Sequence, residues 1–444
     1  MSPKNKTIKR LFPSHTVMTD TCDHVILLSA DALRADHLSC YGYHRETTPV
    51  LDDLAAESLR FTRAYSASSH TREAVPALLT GEYPDTAIDS DYRLATETIA
   101  STLSESGFAT GGFHSNPFVS RAYGFDRGFD EFDDDLHFGK HKLVALAQRA
   151  LDKVRNRHYA RAEEINERSL AWIDSVDGTD PFFLWNHYMD THGPYEPPET
   201  YQRQYYGETV SDSKAQSLYQ RAIDDPDSIT EAERQLLIDL YDAEIRYNDE
   251  RIGEFLASLR ERDLLERSLL IVTADHGDAF GEHGYYEHPR YLHDEITHVP
   301  LIVRPPGGAD ETTVSTPVST LSIAPTIQQS VGISSDGQSL LSTDADDVES
   351  DQPVFSQARG EGDHDHVRRY AIRTANGACF CERNQDTGAL EFSACTDPSL
   401  RDELESHIKK RVQQRDDGKT AEADVDGDVD EEIEHRLSAL GYKD

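Results

Sequence analysis

Ser268-Leu-Leu-Ile-Val-Thr-Ala-Asp-His-Gly-Asp-Ala-Phe-Gly-Glu-His-Gly284 is the stretch whose reading decides the fold. Ser268 to Thr273 is apolar and β-branched, the composition of a strand buried on both faces. The run delivers Asp275 and His276 side by side, an anionic oxygen next to an imidazole, which is a common divalent-metal pair. In an open α/β sheet, ligands and metals collect outside the carboxyl ends of the strands. A second strand-then-acid segment lies far upstream, His24-Val-Ile-Leu-Leu-Ser-Ala-Asp31.

Further strand-like runs fall at 108–114, 181–187 and 299–303. Helical patterns separate them: Leu51 to Leu59, Thr96 to Ser106, and a long amphipathic stretch from Ile229 to Arg262 with Leu237, Leu240, Ile245, Ile252 and Leu256 on one face. This alternation predicts an α/β fold with a mostly parallel central sheet flanked by helices. Residues 138–178 and 200–232 read as polar, helix-prone insertions. Beyond residue 342 the character changes. An acidic linker at 343–352 leads to a small C-terminal unit at 353–415, with short antiparallel strands at Arg368–Thr374, Ala378–Cys381 and Ala389–Phe392 and a helix over Pro398–Gln414. Residues 1–23 read as a flexible leader and 416–444 as an acidic tail with a short helix over Glu431–Tyr442.

The formal net charge is −38 and the pI near 4.8. Phosphate-backbone binding needs a basic surface, so nucleic acid is excluded as the natural partner. The acidic residues are spread along the whole chain, which suits a salt-rich cytoplasm where ions screen self-repulsion. No run approaches the roughly 18 apolar residues of a membrane helix, and Met1 to Thr21 lacks the apolar core of a signal peptide. A soluble cytoplasmic protein is therefore expected; the composition sets no oligomeric state. The five cysteines are odd in number and scattered, giving no disulfide framework. Cys379-Phe-Cys381 with Cys395 offers a metal set on paper, but Cys-x-Cys lacks the usual structural-zinc gap, and inward positions of one strand explain it better.

As a set, several segments resemble the sulfatase-like branch of the alkaline phosphatase superfamily. They are Asp31-Ala-Leu-Arg-Ala-Asp-His-Leu-Ser-Cys-Tyr-Gly42, Thr71-Arg-Glu-Ala-Val-Pro-Ala-Leu-Leu-Thr-Gly81, Asp190-Thr-His-Gly-Pro-Tyr195, the Asp275 segment and His298-Val-Pro-Leu-Ile-Val303, in the family's order. Ile323-Ala-Pro-Thr326 and Asp336-Gly-Gln-Ser-Leu340 fit its closing stretch, so the likeness runs from about residue 24 to 340. The resemblance implies a catalytic domain over 24–342, an ester hydrolase activity, and a small-molecule or glycan ester as substrate.

In formylglycine-dependent members the nucleophile lies ten residues before the Gly of Leu-Thr-Gly, which here is Thr71. Their maturation signature has Cys or Ser there, then Pro and Arg; this chain has Thr71, Glu73 and Val75. No formylglycine is expected. The pattern is similar instead to Thr-nucleophile members, some of which carry a Pro matching Pro76. A sulfated Thr has no aldehyde through which to expel sulfate, whereas a phosphorylated Thr can be hydrolysed beside a metal. The nucleophile thus favours phosphate mono- or diesters over sulfate esters. Thr71 also suits a helix N-cap, and Ser68, Ser69 and His70 are rival nucleophile positions.

The resemblance implies one divalent-metal site from Asp31, Thr71, Asp275 and His276. The imidazole favours manganese or zinc, with calcium as the alternative. Ala32 stands where relatives often carry a second acid, and no second site of the two-metal kind is evident. His192 and His288 occupy family positions for anion contact or leaving-group protonation, and Asn116 is a further anion contact. His293 and His298 are similar candidates, His283 with Glu282 fits a supporting position, and His364 and His366 are weaker ones. Arg34 and Asp36 read as a structural pair. Two alternatives stay open: a sulfuric ester hydrolase without formylglycine, and a metal-holding protein without catalysis.

Overall fold

Three adjacent strands, His24–Ala30, Phe182–Tyr188 and Ser268–Ala274, are buried along all seven residues of each. Their near-continuous apolar sequences suit strands covered on both faces. They form the middle of an eight-stranded sheet in a computed structural model that describes residues 22–136, 159–178, 180–341 and 352–418. The order across the sheet is Thr312–Val314, Leu59–Phe61, Leu301–Arg304, Ser268–Ala274, His24–Ala30, Phe182–Tyr188, Ala109–Phe113, Glu131–Asp133. Only Leu301–Arg304 runs antiparallel to its neighbours, so the sheet is mostly parallel, as expected.

Register is what matters for the site. Ala30 pairs with both Tyr188 and Ala274, so the three central strands end level. The ladder continues one step further, with Asp31 N donating to Tyr188 O at 2.8 Å and Asp275 N to Ala30 O at 3.3 Å. The two acids therefore emerge side by side at the carboxyl edge.

The helix Glu231–Glu261 starts from a capping box between Thr230 and Glu233 and buries Leu237, Leu240, Ile245, Ile252 and Leu256. It also buries Asp242 and Asp249, whose carboxylates take His37 Nδ1 at 2.8 Å and the Val50 and Leu51 amides at 3.0 Å. The expected strand at 299–303 is split. His298–Val299 pairs with Ala64–Tyr65 in a small three-stranded sheet, and Leu301–Arg304 joins the large one. Pro300 separates them because it has no N–H for a ladder, and its carbonyl accepts from Thr273 Oγ1 at 2.8 Å.

The C-terminal unit is a four-stranded antiparallel sheet, Val354–Arg359, Val367–Thr374, Gly377–Asn384 and Leu390–Ser393, followed by the helix Pro398–Gly418. Val354–Arg359 was not legible as a strand because its polar Ser356 and Gln357 interrupt the apolar pattern. Both are buried against the loop before Thr71: Ser356 Oγ donates to Ser66 O at 2.7 Å and Gln357 N to Ala67 O at 2.9 Å. The cysteine reading needs correction. Cys379 and Cys395 form a disulfide, because the chain turns back after Leu390–Ser393 and Thr396 N bonds Ala378 O at 3.0 Å. Cys381 is buried against Leu400, Leu404 and Ile408, so no Cys-metal set exists here. Among the described residues no helix is long and apolar enough to cross a membrane. The leader to residue 21, much of the 138–178 insertion, most of the linker and the tail from 419 lie outside the described residues.

Candidate active site

Asp31, Thr71, Asp275 and His276 converge at the carboxyl edge of the sheet, each at most 1% exposed. Thr71 Oγ1 lies 3.1 Å from His276 Nε2 and donates to Asp31 Oδ2 at 3.4 Å. His276 Nε2 is 3.6 Å from Asp31 Oδ1 and 3.5 Å from Asp275 Oδ2. Thr71 is not the N-cap of its helix, Thr71–Thr80. That position belongs to His70, whose Nδ1 accepts from Arg72 N at 3.1 Å. The hydroxyl of Thr71 is thus directed at the acids, in the first turn of a helix where the dipole favours an anion. Of the rival nucleophiles, Ser68 is bonded to Glu73 Oε2 at 3.3 Å, whereas the Thr71 hydroxyl reaches both Asp31 and His276.

The backbone holds this geometry tightly. Ala32 adopts φ 56°, in the left-handed region, and its amide donates to Asp275 Oδ1 at 3.2 Å; His276 N donates to the same oxygen at 2.8 Å. Gly277 must be glycine, since a Cβ there would lie 2.3 Å from Glu295 O and 2.9 Å from Arg34 Cγ. His276 Nδ1–H donates to Gly277 O at 2.9 Å, which leaves the Nε2 lone pair facing the carboxylates.

These residues fit a divalent metal. Among the described residues the buried Asp31 Oδ1 and Asp275 Oδ2 have no hydrogen-bond partner, a costly arrangement unless a cation takes them. Donor atoms of Asp31, Asp275 and His276 lie within 4.8 Å of one another. Burial pushes the Asp31 carboxyl up, but His192, His187 and His276 outweigh it and hold it below the usual carboxylate range. Burial, reinforced by the Asp31 charge, pushes Asp275 up.

His192 and His288 stand beside this centre. The His288 ring lies 4.3 Å from that of His276 and 5.0 Å from that of His192. His192 Nδ1 bonds Gly193 O at 2.6 Å, and His288 Nδ1 bonds Asp278 Oδ1 at 3.1 Å. Burial, then the neighbouring His276, lowers the His288 pKa to about 4, against the opposing pull of Asp278. Asn116 is engaged differently from the expectation of an anion contact: its Nδ2 donates to Asp31 Oδ2 at 2.6 Å and its Oδ1 accepts from Phe118 N at 2.8 Å.

Three contributors were not read from sequence. His187 Nε2 bonds Asp31 Oδ2 at 3.2 Å while its Nδ1 meets Ser29 Oγ at 2.9 Å; burial lowers its pKa, yet Asp31 and Asp275 outweigh this and raise it. Asp278 orients His288 and also accepts from Tyr195 OH. Arg72, next to Thr71, stacks its guanidinium 4.1 Å over Phe118 and 5.0 Å over Tyr92. The one available signal was a polar residue inside an apolar strand, His187 paired in register with Ser29.

The remaining candidates lie elsewhere. His298 Nε2 bonds Thr62 O at 2.9 Å, and His364 and His366 sit in the connection before the Val367–Thr374 strand. Glu282 pairs with Arg34 at 2.6 Å, not with His283, while Arg34 also holds Asp36 at 2.7 Å, the expected structural pair. His283 and His293 group with Glu295.

The Sulfatase family model matches residues 23–333. The chain is 25% identical over 339 residues to the uncharacterized sulfatase YidJ of Escherichia coli (strain K12), covering 68% of this chain and 66% of that protein. It is 26% identical over 356 residues to iduronate 2-sulfatase of Homo sapiens, covering 66% and 62%. The chain therefore spans just under two thirds of the length of these curated relatives. A crystal structure of the phosphonate monoester hydrolase of Agrobacterium radiobacter shares the fold, with a TM-score of 0.65 at 18% identity over 89% of this chain and 95% of that one. On the family match across most of its length, together with the strand order and the level register of its three central strands, this chain belongs to the Sulfatase family.

Proposed function

We propose that this chain is a metal-dependent ester hydrolase that attacks phosphate or phosphonate esters through Thr71 and resolves a covalent Thr71 intermediate with water. The observation that carries the reading is Thr71 Oγ1, held 3.1 Å from His276 Nε2 and donating to Asp31 at a helix N-terminus. Asp31, Asp275, His276 and the Thr71 hydroxyl would hold one divalent ion, and the mixed oxygen and nitrogen set favours manganese or zinc over calcium. Such an ion supplies charge that neutralises the ester anion and lowers the hydroxyl pKa.

In the first step Thr71 Oγ1 bonds the central atom, its proton passes toward the Asp31 carboxylate, and the bond to the leaving oxygen breaks. An ester anion bound beside these rings favours an imidazolium there, and the leaving oxygen takes its proton from His192 or His288. In the second step water attacks the same atom, the bond to Thr71 Oγ1 breaks, the proton held by Asp31 returns to Thr71 Oγ1, and the now neutral imidazole accepts the water proton. In both neutral rings Nδ1–H is engaged, by Gly193 O and by Asp278, so Nε2 is the atom that accepts and returns the proton.

A second reading, a sulfuric ester hydrolase acting on sulfated glycans or aryl esters, is favoured by the family membership and the likeness to iduronate 2-sulfatase. Against it stands Thr71, which cannot become an aldehyde. The discriminating experiment is hydrolysis of nitrophenyl phosphate, bis-nitrophenyl phosphate and nitrophenyl sulfate in molar salt with manganese, zinc or calcium, beside Thr71→Ala. Phosphoester turnover that disappears in the variant is expected; turnover of the sulfate alone would overturn the preference for phosphoesters.

A further inference from the structure

Away from the Asp31 centre, the described residues bring together His283, His293 and Glu295, with donor atoms all within 4.8 Å. His283 Nε2 lies 3.2 Å and His293 Nδ1 3.8 Å from Glu295 Oε1. A tetrahedral ion with bonds of about 2.0–2.1 Å sets its ligands roughly 3.3 Å apart, close to both separations. The two imidazole rings stack with their centroids 3.9 Å apart. Tyr285 OH closes the group, 2.6 Å from His293 Nδ1 and 3.1 Å from Glu295 Oε1.

Solvent reaches this cluster. The His283 and His293 side chains are 47% and 32% exposed while that of Glu295 is 8% exposed, an anionic floor beneath two accessible imidazoles. A single ion pair accounts for His283 with Glu295, but not for the second imidazole and the phenol gathered on the same oxygen. The cluster is also placed to matter. Ile296 O, next to Glu295, accepts from Gly277 N at 2.6 Å, and Arg373 binds Asp294 at 2.9 Å and Thr297 Oγ1 at 2.9 Å. The segment between His283 and Glu295 carries His288.

We propose that His283, His293 and Glu295 form a second divalent-metal site of the zinc type, distinct from the Asp31–Asp275–His276 centre, with Tyr285 as its hydrogen-bonding or fourth partner. Its ion clamps the His283–Glu295 loop and thereby fixes His288 beside His276. The inference rests on geometry alone and stands whether the ester is phosphate or sulfate.

The test is metal content. The purified full chain is incubated with zinc, gel-filtered and analysed by elemental mass spectrometry, beside the double variant His283→Gln/His293→Gln, Glu295→Gln, and Asp275→Asn. Wild type is expected to retain two equivalents, and the double variant, Glu295→Gln and Asp275→Asn one each. Cobalt substitution reads the same point by coordination: the intense visible bands of a tetrahedral ion are expected to weaken in the double variant and to persist in part in Asp275→Asn. A double variant that melts like wild type and binds as much zinc, with the same cobalt spectrum, overturns the proposal.

Discussion

Arg290 Nη1 donates to Glu73 Oε2 at 3.0 Å, with side chains 3% and 1% exposed. Glu73 also takes Ser68 Oγ at 3.3 Å and the Arg359 amide at 3.3 Å. One carboxylate two residues from Thr71 thus ties the Thr71–Thr80 helix to the loop carrying His288 and to the C-terminal sheet. Glu73, one of three residues that depart from the formylglycine signature, is the residue that joins these parts.

Removing one partner of a buried ion pair leaves the other charge uncompensated. Glu73→Gln is expected to lower unfolding stability by up to about 3 kcal/mol, because Glu361 still reaches Arg290 Nε. Urea titration of the purified variant measures this, and an unchanged midpoint would remove Glu73 from the role.

His187 touches Asp31 without being a donor for the metal itself. Groups that orient metal ligands typically change affinity by about 10–100-fold when removed. His187→Gln is expected to weaken metal binding in that range, read by competition with a chelator, while thermal unfolding of the metal-free protein stays close to wild type.

Asp278 acts through His288. Asp278→Asn replaces the acceptor for Nδ1–H and removes the charge that draws a proton to the ring. A loss of about 10²-fold in kcat is expected, with a smaller change in KM. Since Asp278 raises the His288 pKa, the limb of the rate profile that His288 sets should shift toward lower pH in the variant. A purely structural role would leave that limb in place.

His114 gives a stability test independent of catalysis. Among the described residues its two buried ring nitrogens have no hydrogen-bond partner, and the ring packs against Phe132 and Trp185. Burial, the largest influence, lowers its pKa to about 3 despite the nearby Asp134. The folded pKa lies below the unfolded value of about 6.5, so the unfolded chain binds the extra proton. The contribution is whole above pH about 6.5 and is lost as pH falls toward 3. His114→Phe is expected to flatten the fall in urea midpoint between neutral and acid pH; an unaltered slope would contradict the assignment.

Asp31 and Asp275 were legible because each closes an apolar run, and strands of that kind pair in level register, Ala30 with Ala274. Thr71 was found by its distance from Gly81, but its place as first helical residue rests on His70 capping the helix, which no spacing revealed. His187 was hidden inside an apolar strand. Its partner Asp31 lies 156 positions away, and only sheet order brings them together. For Asp278 and Glu73 no spacing signals burial; a histidine and an arginine across the fold give them their roles. The disulfide of Cys379 and Cys395 was missed because the hairpin that closes it depends on a turn after Ser393, not on cysteine spacing.

The central claim is a covalent bond to Thr71. The most direct measurement is a rapid acid quench of the metal-loaded protein turning over bis-nitrophenyl phosphate, followed by peptide mass spectrometry. A phosphoryl ester on Thr71 that forms and decays at the rate of turnover is the result expected here. Full turnover with Thr71 unmodified, or the modification on Ser68, Ser69 or His70 instead, would contradict the account.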